Sequence, residues 1–111
     1  MIKKLRRKIK DFLFKRKYGC GYIEICNLNT AIAKFVLPRL KLFRQSCGTS
    51  TPRGLTPKKW ENIVDKMIFA FEYEAIQYAD TFSDKHFTDK DIKNIQKGFG
   101  LFGKYFMDLW D

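Results

Sequence analysis

Residues able to do acid–base or nucleophilic chemistry are scarce in this chain. His86 is the single histidine, in a polar segment beside Asp84 and Lys85, where a solvated side chain is the expected role. A Ser, Thr or Cys nucleophile needs a base within hydrogen-bond reach, and no spacing here supplies one. Cys20, Cys26 and Cys47 form no C-x-x-C, and one histidine cannot complete a common zinc site. Free thiols in a reducing compartment are expected, with no disulfide framework and no metal. Carboxylates pair at Glu61/Asp65, on one helical face, and at Glu72/Glu74, which do not share a face. They read as a charged outer face or as partners for Arg39 and Arg44. No catalytic residue, metal or cofactor is assigned, and the expected function is non-enzymatic.

Binding chemistry is better supplied, because the charge is lopsided. Residues 1–56 carry fourteen Lys/Arg against Asp11 and Glu24, a net of +12, whereas residues 57–111 carry eight Lys/Arg against ten acids, a net of −2. Such asymmetry points to an anionic partner for the first half. Lys3, Lys4, Arg6, Arg7, Lys10, Lys15, Arg16 and Lys17 crowd the start. This stretch has three readings: contact with nucleic-acid phosphate, where cations release counterions; attachment to a membrane surface, which is the less favoured of the two contacts; or a solvated face on a helix whose apolar stripe packs on the domain. A second cationic group, Arg39, Lys41, Arg44 and Arg53, flanks Pro38 and a long loop. Arginine grips phosphate bidentately, Trp60 offers a stacking face, and the helix start beside it offers unpaired N–H groups. A phosphorylated ligand between the second and third helices would suit them. The competing reading makes Trp60 core and pairs Arg39 with Asp65 or Glu61.

The elements that must position these residues are helices. At 111 residues, with 45% hydrophobic and 16% aromatic content, the chain makes one small packed unit. No run approaches a membrane span, and the charges at Lys8, Lys10, Asp11 and Lys15-Arg16-Lys17 exclude a secretory signal. Ile2, Leu5, Ile9, Phe12 and Leu13 recur at helical spacing over 2–17, until Gly19-Cys20-Gly21 breaks the pattern. Tyr22, Ile23 and Ile25 read as an extended stretch or a loop packed on the core. A second helix starts near Asn29 or Thr30, capped by Asn27 or Asn29, with Ile32, Phe35, Val36, Leu40 and Phe43 as its stripe. Pro38 should kink it or mark a restart, and it ends before Gly48.

Residues 46–55 read as a mobile or functional loop. Thr56-Pro57 opens a third helix, with Trp60, Ile63, Val64, Met67, Ile68, Phe71, Ala75 and Tyr78 in register to about Ala79 or Thr81. A polar turn follows at 83–86. Thr88 and Asp91 then form a capping box for a last helix over 89–109, with Ile92, Ile95, Phe99, Phe102, Phe106 and Leu109 inward. Gly98, Gly100 and Gly103 mark a bend or a close approach of another backbone, within the chain or across an oligomer. Trp110 predicts a docked tail. The expected fold is all-α, a compact bundle of about four helices, with residues 1–18 a basic amphipathic helix and 19–111 the helical core domain.

Three ordered blocks carry a resemblance. They are Asn27-Leu28-Asn29-Thr30-Ala31-Ile32-Ala33-Lys34-Phe35 with Leu37-Pro38-Arg39-Leu40-Lys41 and Phe43; Leu55-Thr56 and Trp60 with Asp65-Lys66-Met67-Ile68 and Ala70-Phe71-Glu72; and Gly98, Leu101-Phe102-Gly103-Lys104-Tyr105-Phe106 and Leu109-Trp110-Asp111. Over about residues 19–111 the chain resembles a family of small proteins of tailed phages. Cys26 stands where that family usually has Trp, Asn29 where it has Asp, and Lys59 where an acid is common before Trp60. The resemblance implies a viral origin and a helical fold; the family carries no settled activity. Together with the cations, it leads to the expectation of a phage-encoded protein that binds an anionic ligand in the reducing cytoplasm of the host. Its sharpest form is a sponge for a nucleotide immune signal of the cyclic-dinucleotide type, by analogy with other small viral helical proteins. A virion or nucleic-acid-associated protein using the basic helix and a helical inhibitor of a host protein are the alternatives. Association into a homo-oligomer is expected in each case.

Overall fold

The computed structural model describes residues 2–46, 50–77 and 88–110, with backbone alone at 76 and 77. Every regular element among them is helical: α1 (Ile2–Tyr18), α2 (Tyr22–Cys26), α3 (Leu28–Ser46), α4 (Pro57–Gln77), α5 (Asp89–Lys104) and a short 3-10 turn, Phe106–Asp108. The fold is an all-α bundle. The expectations at Cys47, Gly48, Tyr78, Ala79, Thr81 and the polar turn at 83–86 with His86 lie outside the described residues.

The packed centre is α3, α4 and α5, with α4 in the middle touching both of the others. Its core is Ala33 and Leu40 from α3, with Trp60, Val64, Met67 and Phe71 from α4; Val36, Leu37, Phe43, Phe99, Phe102 and Leu109 close over it. The α4 residues follow a helical step of three or four, so one stripe faces both neighbours. Aromatic edges lock this centre: Trp60 meets Phe43 and Tyr105 at centroid distances of 6.4 and 5.6 Å, and Phe71 meets Phe99 and Phe102 at 5.1 and 4.8 Å.

The helix starts are set by local chemistry. Lys59 N–H donates to Thr56 Oγ1 at 3.2 Å, with Pro57 as the first helical residue. Thr88 and Asp91 exchange the two bonds of a capping box. Gly98 marks the close crossing of α4 and α5. A Cβ there would collide with the Lys66 carbonyl and lie 2.7 Å from the Ala70 Cβ, whereas Gly100 and Gly103 face open space. The close approach anticipated for the glycine group is therefore intramolecular, and it rests on one glycine of the three.

Several expectations are corrected. Residues 22–26 form a helix with an exposed apolar surface, not an extended or packed stretch. Gly21 N–H donates to Glu24, whose carboxylate closes the first turn. α3 begins at Leu28, and Asn29 serves as a tertiary donor to Glu74 at 2.8 Å rather than as a cap. α3 runs through Pro38 without restarting, because an exposed proline costs one helix bond that the packing around Leu37 and Leu40 outweighs. Ile32 and Phe35 are exposed; the core-facing row is Ala33, Val36, Leu37 and Leu40, one step round the helix. α5 ends at Lys104, five residues before the expected end at Leu109, and the chain turns so that Leu109 covers the core while Phe106 and Trp110 do not. Trp110 is 68% exposed, so the expected docking of the tail does not occur.

Candidate functional site

α1 is built from residues that favour helix, with no glycine or proline before Gly19. Lys15, Arg16 and Lys17 fill its last turn, where cations meet the negative end of the helix dipole. It stops at Gly19, whose positive φ of 76° suits a left-handed cap, and whose N–H donates to the Lys15 carbonyl at 2.8 Å. Tertiary packing usually supplies most of a helix's stability. Here it supplies none to the apolar stripe.

No residue of α1 is buried. Among the described elements its tertiary neighbour is α2, held through Phe14, whose ring lies 4.7 Å from that of Tyr18 and 5.8 Å from that of Tyr22. Ile2, Leu5, Ile9, Phe12 and Leu13 are 50 to 71% exposed. The reading in which this stripe packs on the domain is therefore overturned: α1 projects from the bundle with both faces in solvent. Lys3, Lys4, Arg6, Arg7, Lys10, Lys15, Arg16 and Lys17 share one free helix and form no salt bridge with acids among the described residues.

The second cationic group is not assembled. Trp60 is fully buried between Phe43 and Tyr105, and its face cannot stack on a ligand. This is a correction whose cause is its place at the centre of the α4 stripe. Arg44 donates through Nε to Asp65 at 2.8 Å and approaches Glu61 at 3.5 Å; Lys41 Nζ meets Glu72 at 3.2 Å. The α4 carboxylates thus take Arg44 and Lys41, and not Arg39. Arg39 lies over the Phe35 ring at 3.7 Å and donates to the Phe35 carbonyl at 2.7 Å. Arg53 sits at the exposed tip of a turn closed by a 3.1 Å bond from Leu55 N–H to the Pro52 carbonyl. The expected pocket between the second and third helices does not gather these five residues.

The concavities lie elsewhere. One of about 550 Å³ between α4 and α5 is lined by Asn62, Asp65, Lys66, Phe69, Asn94 and Lys97. Another, of about 290 Å³, runs along α3 and is mostly apolar, with Phe35, Phe43, Phe102 and Leu109 in its walls and Arg39 at its edge. Among the described residues no three His, Cys, Asp or Glu side chains gather as a metal site. No described helix is long and apolar enough to cross a membrane.

The strongest candidate surface is therefore α1 as a whole. Its cations were legible as a run in the sequence. Its apolar residues were legible as a stripe, but a stripe satisfied by the core and a stripe left free have the same spacing. No family model, curated protein or solved structure matches this chain.

Proposed function

We propose that this is a non-enzymatic binding protein whose contact with a phosphate-bearing anionic partner is α1. The observation that carries the reading is the free standing of that helix: nine cations against one acid, Asp11, on a segment that contributes nothing to the core. The bundle then acts as the body that presents α1, with Phe14 packed on Tyr18 and Tyr22 at the joint. The resemblance to small tailed-phage proteins accords with a chain that acts on a component of an infected cell or of the particle.

The nucleotide-sponge form has less support, since Lys41 and Arg44 are engaged by Glu72, Glu61 and Asp65 and Trp60 is enclosed. The test uses the full chain and a variant with Lys3, Lys4, Arg6, Arg7, Lys8 and Lys10 replaced by Gln. Both are titrated against a short DNA duplex and against phosphatidylglycerol vesicles over a range of salt. The expected result is binding of the parent to at least one probe, weakening steeply with salt and lost in the variant. Equal binding by the variant, or binding to neither probe, contradicts the reading. So does a thermal shift with a cyclic dinucleotide that Arg39→Ala removes, which would move the site to α3.

A further inference from the structure

Charge alone does not account for α1. A phosphate backbone would neutralise its cations and leave Ile2, Leu5, Ile9, Phe12 and Leu13 in water. At 100° per residue these five fall in an arc of roughly 100°. Arg6, Lys10 and Lys17 border one edge of that arc, and Lys8 and Lys15 border the other. Asp11, the helix's single acid, lies on the opposite side. Lys3, Lys4 and Arg7 share that far side with it, and Arg16, in the last turn beyond Leu13, falls within the arc. Around the helix a hydrocarbon stripe is thus bordered by two flanks of long cationic side chains, with the far side also mostly cationic. An anionic lipid interface has the same layering, with acyl chains below, anionic headgroups beside them and water above. Lys and Arg at the flanks can bury their methylenes and lift their charged ends to the headgroups.

We infer that α1 lies in the plane of an anionic membrane, with its Ile2–Leu5–Ile9–Phe12–Leu13 stripe inserted and its flanking cations on the headgroups. The inference rests on the reading of α1 as the anionic contact and names its partner. Charge complementarity selects the occupant, and the stripe selects a lipid surface over a nucleic acid. At about 25 Å in length, α1 lies on the bilayer and does not cross it. The joint uses Phe14 and Tyr18, on the side of the helix away from the stripe, so the stripe is not engaged by the bundle.

The test is vesicle co-sedimentation of the full chain, with duplex DNA binding measured in parallel. One variant carries Leu5→Ser, Ile9→Ser and Phe12→Ser, exposed positions outside the core whose replacement keeps the charge. A second carries Lys8→Gln, Lys10→Gln and Lys15→Gln. The parent is expected to favour phosphatidylglycerol-containing vesicles over pure phosphatidylcholine by at least about tenfold. Each variant should lose at least about tenfold on the anionic vesicles, while the serine variant keeps whatever duplex affinity the parent has. Four results overturn the inference. Binding to duplex but not to vesicles, or unchanged vesicle binding by the serine variant, sinks the lipid assignment and leaves α1 as an anionic contact. Binding to neither probe sinks both. An oligomer that dissociates in the serine variant, with no vesicle binding by the parent, assigns the stripe to a second copy instead.

Discussion

Thr30 and Trp60 are where single side chains of this protein carry unspent polarity. Thr30 Oγ1 and Trp60 Nε1 are buried with no hydrogen-bond partner among the described residues. A buried hydroxyl without a partner loses its hydration for nothing, and an isosteric methyl removes that cost. Thr30→Val is therefore expected to leave the unfolding midpoint unchanged or to raise stability by about 0.5–1 kcal/mol. Chemical denaturation measures it, and a clear loss of stability would mean that the hydroxyl is satisfied in solution. The same scale shows why the cations of α3 are poor candidates for a ligand. Arg44 and Lys41 already answer three carboxylates of α4, and Arg39 spends its guanidinium on Phe35. Charge counts in the sequence could not show this, because partners on another helix are invisible until α3 and α4 are laid side by side.

At the scale of the element, Gly98 separates packing from propensity. Alanine is the better helix former by about 1 kcal/mol, so Gly100→Ala, facing open space, should stabilise the protein by up to that amount. Gly98→Ala should instead destabilise it by about 1–3 kcal/mol, because α4 must move away from the new methyl at Lys66 and Ala70. Opposite signs in paired thermal melts check the crossing; equal signs would contradict it. The caps at Thr56 and Thr88 were readable from a few residues, since capping is a local bargain between a side chain and the next turn. The far ends were not. α5 stops at Lys104 because Leu109, through the turn at 106–108, reaches the core from another direction. α3 carries apolar residues on two faces, and only contact with α4 decides that Ala33 and Leu40 go in while Ile32 and Phe35 stay out.

On the scale of the whole molecule, apolar surface remains outside the core in more than one place among the described residues. One is the α1 stripe. Another is formed by Leu28, Ile32 and Phe35, all exposed on α3. The homo-oligomer expected from the sequence is still a proposal, and this second surface is where a further copy would sit. The described residues span 59 × 35 × 20 Å, with a radius of gyration of 17.7 Å, against about 13 Å for a compact domain of this length. The excess reflects a helix that stands off the bundle. From the sequence, α1 was legible as a helix and as a cationic stretch. Its separation from the core was not, because spacing encodes which side is apolar and not what covers it. The account as a whole depends on α1 being a contact and not a structural member. Thermal unfolding of residues 19–111 beside the full chain, both without a partner, tests that most directly. If α1 adds nothing to the core, the midpoints agree to within about 2 °C; a fall of more than about 5 °C on removing residues 1–18, which corresponds to about 1 kcal/mol for a domain of this size, would mean that the stripe packs on the bundle, and would contradict the account.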